Sequence, residues 1–201
     1  LVHGESRVTS RVRRPNRMPF PDAVDTVRTR IAAGDVYQVN VTDRFEGRFD
    51  GAAFDTYAAL LGTQTCAFGA YLEIGDRVIA SASPELFFRW DGDTITCRPM
   101  KGTAPREPRP DDDEHAAAAL LASDKERAEN VMIVDLLRND LGRIARIGSV
   151  RVPELFTLER YETVWQLTST VTADVPDATT LVDVFTALFP CGSVTGAPKI
   201  A

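Results

Sequence analysis

The chain has 201 residues, 44% of them hydrophobic and 26% charged, enough apolar material to bury a real core. A formal charge of -6 and the absence of a long Lys/Arg stripe exclude the electrostatic footprint of a nucleic-acid binder. Cys66, Cys97 and Cys191 lack metal-ligand or redox spacing, which excludes a zinc site or a disulfide framework and fits a reducing cytoplasm. No apolar run approaches the roughly 18 residues of a membrane span.

Residues 1–20 read as a lead-in segment, where the basic residues Arg11, Arg13 and Arg14 are followed by Pro15 and Pro19 and are expected to be solvated. Val24, Val27 and Ile31 recur at helical spacing and predict a helix over 22–31, with Gly34 as its C-terminal cap. Tyr37, Val39 and Val41 alternate with Gln38, Asn40 and Thr42, the period-two pattern of a strand over 36–45 that places Gln38 and Asn40 on one face. A helix is expected over 52–61. The segment 67–98 reads as an antiparallel meander turning at Gly75-Asp76 and at Asp91-Gly92-Asp93. The stretch 103–114, dense in Pro, Arg and Asp, predicts a solvent loop, with helix resuming over 116–121.

Ser123 and Glu126 match a capping box, after which Val131, Met132, Val134, Leu136 and Leu137 carry a helix towards Gly142. β-branched residues suggest strands over 149–157 and 164–175, followed by a helix over 181–189 that stops at Pro190. Few crossover helices separate the strands, so the expected class is α+β, with mixed, mainly antiparallel sheets and flanking helices.

Lys101, in Arg98-Pro-Met-Lys-Gly-Thr103, sits beside a glycine that lets backbone approach a ligand, and it reads either as a nucleophile or as a turn lysine. A lysine amine titrates near 10.4 in water, so a nucleophilic role needs surroundings that favour the neutral amine. Glu85, among the apolar neighbours of Ser83-Pro-Glu-Leu-Phe87, is a candidate general acid or a strand-end charge. Glu126, Glu129 and Asp135 share the capped helix. Inward carboxylates there suit magnesium, while the plainer reading pairs Lys125 with Glu129 and Asp135 with Arg138. Gly192-Ser-Val-Thr-Gly-Ala-Pro-Lys199 could bind a carboxylate through backbone N–H groups, but it lacks the spacing of a nucleotide-binding loop. His3 and His115 are isolated and receive no role.

Five stretches in order closely resemble the chorismate-utilising enzyme family, which includes aminodeoxychorismate, anthranilate and isochorismate synthases. They are Gly34-Asp-Val-Tyr-Gln-Val-Asn40, Ser83-Pro-Glu85, Arg98-Pro-Met-Lys-Gly-Thr103, the segment Lys125–Gly142 and Phe189-Pro-Cys-Gly-Ser-Val-Thr-Gly-Ala-Pro-Lys199. The resemblance implies the anthranilate synthase component I-like fold, with residues 21–201 forming the N-terminal and central part of a chorismate-binding catalytic domain. Lys101 resembles the aminodeoxychorismate synthase members, since anthranilate synthases usually carry alanine there. By the same resemblance Lys101 is the nucleophile and Glu85 the general acid; Glu129 holds Mg2+; and Gln38, Gly102, Thr103, Ser193 and Thr195 contact chorismate. The resemblance also implies a glutamine amidotransferase partner that supplies ammonia.

Gln38 stands where isochorismate synthases place a lysine base, and an amide cannot act as that base. Gln166 occupies a place where many relatives have histidine. Relatives continue well beyond the position of Ala201, so the chain is expected to be C-terminally truncated and to have little activity alone. Competing readings are an anthranilate synthase and a non-catalytic chorismate-binding or partner-binding module.

Overall fold

Pro21 in the first turn and Gly34 just past the last residue bracket a helix, because proline tolerates the first turn and glycine adopts the left-handed cap, here at φ 79. The computed structural model describes residues 7–8, 18–63 and 66–199, so His3 and the basic residues Arg11, Arg13 and Arg14 lie outside the described residues. The chain divides into two compact units, Leu1–Pro84 and Glu85–Ala201.

In the first unit, β1 (Arg7–Val8) pairs antiparallel with β3 (Phe49–Asp50), and between them run α1 (Phe20–Ala33) and β2 (Gln38–Val39). The expected strand over 36–45 is thus reduced to two residues. Its apolar face finds little cover: Tyr37 is 73% exposed and Val39 and Val41 are each 37% exposed, so alternation alone does not extend a ladder. α2 (Ala53–Thr63) packs near a hairpin of β4 (Ala70–Ile74) and β5 (Arg77–Ser81), and Phe54 and Tyr57 set their rings against Tyr71 at 5.2 and 5.6 Å. The hairpin turns at Gly75-Asp76 as expected, with Gly75 at φ 61.

The second unit begins with β6 (Leu86–Asp91) and β7 (Thr94–Arg98), which turn at Gly92-Asp93, and β8 (Met100–Pro105). The meander expected over 67–98 is therefore corrected to two hairpins in different sheets, because β7 takes a distant strand as its second partner. That strand is β10 (Val164–Asp174), the centre of a five-stranded antiparallel sheet. Along one edge of β10 lie β7 and then β8, broken at Pro99, which has no N–H to donate; along the other lies β9 (Arg151–Arg160).

Between β8 and β9 come α3 (Pro110–Ala122) and α4 (Asp124–Gly142). The solvent loop expected over 103–114 shrinks to residues 106–109. Residues 103–105 continue β8, and Pro110 at the first helical position with Asp111, Asp112 and Asp113 in the first turn starts α3, where proline and negative charge are both favourable. Arg106 donates to both Asp113 oxygens at 2.8 and 2.9 Å, Trp165 Nε1 donates to Asp113 Oδ1 at 2.9 Å, and the guanidinium lies 4.9 Å from the Trp165 ring centre. The Arg106 guanidinium holds the Asp113 carboxyl well below the usual carboxylate range.

Ser123 caps α4 by accepting from Glu126 N at 3.4 Å, but the Glu126 carboxylate pairs with Lys125. Asn130, Ile133, Val134, Leu137, Asp140 and Leu141 form the buried stripe of α4 at three- and four-residue spacing. Against it pack Ile95 and Cys97 of β7, Val171 and Ala173 of β10, and Val184 and Leu188 of α5 (Leu181–Leu188). Each such aliphatic side chain contributes about 1.5 to 3 kcal/mol on burial. Thr180 and Asp183 form a complete capping box at the start of α5. A one-turn helix, α6 (Gly192–Thr195), and the short β11 (Gly196–Ala197) end the described chain. Among the described residues no helix is long and apolar enough to cross a membrane. The class is α+β with mainly antiparallel sheets and flanking helices, as the residue pattern predicts.

Candidate active site

β6 opposes Leu86 to Arg98, which sets Glu85 beside the start of β8. There Glu85 Oε1 accepts from Met100 N at 3.3 Å and from the Ser193 hydroxyl at 2.9 Å. Ser193 reaches this position because α6 lies tight on α4: a Cβ at Gly192 would stand 1.8 Å from Leu136 Cδ2, so only glycine permits the approach. The carbonyl of Ser193 in turn accepts from Lys101 Nζ at 3.0 Å, and Glu129 Oε1 lies 3.8 Å from the same amine. The Lys101 and Glu129 side chains are 18% and 32% exposed, so the two groups face each other at the edge of solvent.

The register of β8 against β10 aims Lys101. Gln166 pairs with Thr103 and Thr168 with Met100, so Lys101 and Gly102 together oppose Leu167 in a β-bulge. Gly102 takes φ 102, and a Cβ there would meet Leu167 Cδ1 at 3.1 Å and Glu126 Cβ at 3.3 Å. Directly above, Asn130 of α4 donates to the carbonyls of Lys101 at 3.2 Å and Leu167 at 3.3 Å.

The structure therefore brings Glu85, Lys101, Gly102, Glu129 and Ser193 into one cluster. Ser193 is 5% exposed, with its hydroxyl turned to Glu85. Thr103 is exposed and donates to Gln166 Oε1 at 3.0 Å, while Thr195 donates back to Cys191 O at 3.1 Å within α6. Gln38 belongs to the first unit, where its amide donates to Asn40 Oδ1 at 3.1 Å, as their shared face predicts. The plainer pairing of Lys125 with Glu129 gives way to Lys125 with Glu126, whereas Asp135 and Arg138 do pair at 2.8 Å.

Sequence reasoning passed over Asn130, whose signal was a polar residue on the apolar stripe of α4. It also passed over Asp140, which lies on the same stripe and meets Lys199 Nζ at 2.8 Å with side chains 3% and 4% exposed. Burial pushes Asp140 up against the opposing pull of Lys199. Burial, with Cys191 and Asp140 nearby, pushes the Cys97 thiol up to about 12. Among the described residues no three His, Cys, Asp or Glu side chains gather into a metal cage. Glu129 offers a single carboxylate, which suits an ion such as Mg2+ that completes its octahedron with water and ligand oxygens.

Residues 2–201 match the sequence profile of the family described as chorismate binding enzyme. The chain belongs to the chorismate binding enzyme family. It is 45% identical over 184 residues to aminodeoxychorismate synthase component 1 of Escherichia coli strain K12, an alignment covering 92% of this chain and 41% of that protein. It is 40% identical over 183 residues to an anthranilate synthase component 1 of Haloarcula marismortui, covering 91% of this chain and 37% of that protein. The crystal structure of anthranilate synthase component I from Streptococcus pneumoniae TIGR4 superposes with a TM-score of 0.83 at 32% identity, covering 94% of this chain and 42% of that one. This chorismate binding enzyme chain thus spans about 41% of the length of the first of these relatives.

Proposed function

We propose that the protein carrying this chain aminates chorismate at C4 to 4-amino-4-deoxychorismate, with Lys101 as a covalent catalyst and ammonia delivered by a glutamine amidotransferase partner. The observation that supports this reading is the joint placement of an amine and two carboxylates. Lys101 Nζ is bonded to Ser193 O at 3.0 Å, and the hydroxyl of the same Ser193 is bonded to Glu85 at 2.9 Å.

In the first half-reaction the neutral Lys101 amine gives its lone pair to C2 of the ring. The ring double bonds shift, the C4–O bond breaks, and the hydroxyl leaves as water with a proton from Glu85. In the second, ammonia adds at C4, the double bonds shift back, the C2–N bond to Lys101 breaks, and one proton of the added ammonia returns to Glu85. Carbon and electron counts balance with no redox partner: chorismate and ammonia give the amino product and water. Glu129 would hold Mg2+, whose chemistry is to neutralise the ring carboxylate. Gly102 lets the backbone approach the ring, and Thr103, Ser193 and Thr195 are assigned to substrate contact or its support. The protein is read as a cytoplasmic enzyme of p-aminobenzoate and folate synthesis.

Product analysis tests this reading. With chorismate, Mg2+ and ammonium ion, the intact protein is expected to release a 4-amino product without loss of pyruvate. Fluorescent anthranilate would move it to the other branch of the family, and magnesium-dependent chorismate binding without turnover would make it a binding module.

A further inference from the structure

At the bulge that aims Lys101, the carbonyls of Lys101 and Leu167 both accept from one side chain of α4. Asn130 Nδ2 donates to Lys101 O at 3.2 Å and to Leu167 O at 3.3 Å. Its Oδ1 accepts from Ser169 Oγ at 2.6 Å, and Ser169 Oγ accepts in turn from Phe156 N at 3.2 Å. Carbonyl oxygens only accept, so this set of partners fixes which end of the amide faces which way. Asn130 is 1% exposed and Ser169 0%. At the far end Phe156 holds φ 58, a conformation that a bulky aromatic adopts only where its surroundings impose it.

We infer that Asn130 is a positioning residue for the amine: by clamping the β8 bulge to α4, it sets Lys101 against its own neighbour Glu129. The 3.8 Å separation of Lys101 Nζ and Glu129 Oε1 depends on the register of one helix over one strand. Asn130 is the side chain that bonds directly to the Lys101 backbone from that helix. A leucine would fill the same space but would remove both of these bonds, which accounts for an amide on the buried stripe of α4. The functional weight of the inference rests on the reading of Lys101 as the reactive amine. The geometry it tests does not.

The experiment is competitive amine labelling with acetic anhydride across a pH series, read by peptide mass spectrometry on the intact protein. Lys125, whose side chain is 84% exposed, serves as the internal reference. Asn130→Asp places an acceptor against the two carbonyls. It is expected to change the Lys101-to-Lys125 labelling ratio by about threefold or more and to alter its pH profile. Ser169→Ala removes only the support of Oδ1 and is expected to change the ratio in the same direction by less. If Asn130→Asp does not fold, Ser169→Ala decides by the same ratio. Folded variants with lowered thermal stability but an unchanged ratio and pH profile would overturn the inference, leaving Asn130 a purely structural residue. Failure of chorismate to modify Lys101 in the unaltered protein is a separate outcome that touches only the proposed reaction.

Discussion

Ser193 joins Glu85 to Lys101 through its two polar ends, the hydroxyl donating to the carboxylate at 2.9 Å and the carbonyl accepting from the amine at 3.0 Å. Ser193→Ala removes the first bond and keeps the second. The expected loss of stability is about 1 kcal/mol, measured by urea denaturation, because a buried hydroxyl and one hydrogen bond of Glu85 disappear together. Ser193→Ala should also slow loss of the C4 hydroxyl more than it weakens chorismate binding. Equal stability and kcat in the variant would contradict the arrangement.

Gly102 tolerates no side chain. At φ 102, with Leu167 and Glu126 within 3.1 and 3.3 Å of a would-be Cβ, Gly102→Ala suffers both backbone strain and crowding under α4. The expected cost is about 2 to 4 kcal/mol, read as a lower urea midpoint. A midpoint within error of the parent would show that β8 shifts without penalty.

Asp113 ties the start of α3 to Arg106 and Trp165, and the Arg106 guanidinium holds its carboxyl well below the ordinary value. A carboxyl depressed in the folded state contributes stability that is fully present above its unfolded pKa of about 3.9 and is lost as pH falls below that value. Asp113→Asn should therefore be less stable at pH 7 and show a shallower decline below pH 4, with circular dichroism melts at each pH as the check.

Cys97 is fully buried, and its thiol is pushed up to about 12 by burial first and by nearby Cys191 and Asp140 second. The unfolded thiol ionises near 8.5, so the unfolded chain releases a proton that the folded chain retains. Stability attributable to Cys97 is present below about pH 8.5 and declines as pH rises towards 12. Iodoacetamide in native buffer should alkylate half-buried Cys66 and Cys191 but leave Cys97 for the denatured protein. Prompt native labelling of Cys97 would contradict its burial.

Periodicity made the helices legible, and α4 most of all, because its apolar residues and Ser123 cap are local signals. Local signals also placed the turns at Gly75 and Gly92. They did not reveal which hairpins share a sheet, since the partner of β7 lies in β10, more than 70 residues away. The start of α3 was readable in Pro110 and the three aspartates after it, yet the same residues also spell a loop, and the Arg106–Asp113–Trp165 contact decides between them. For the site, single motifs left Lys101, Glu85 and Glu129 open, and only their order along the chain raised the family. The Lys101–Gly102 bulge and its clamp by Asn130 were hidden because both depend on the register between β8 and β10.

The central claim is that Lys101 becomes covalently bonded to chorismate. The most direct test is intact-mass spectrometry of the protein that carries this chain after incubation with chorismate and Mg2+ without ammonia, beside its Lys101→Ala variant. A chorismate-derived adduct that maps to Lys101, is absent from the variant and is discharged by ammonium ion is the predicted result. No adduct in the parent protein, with amino product formed on adding ammonia, would contradict it.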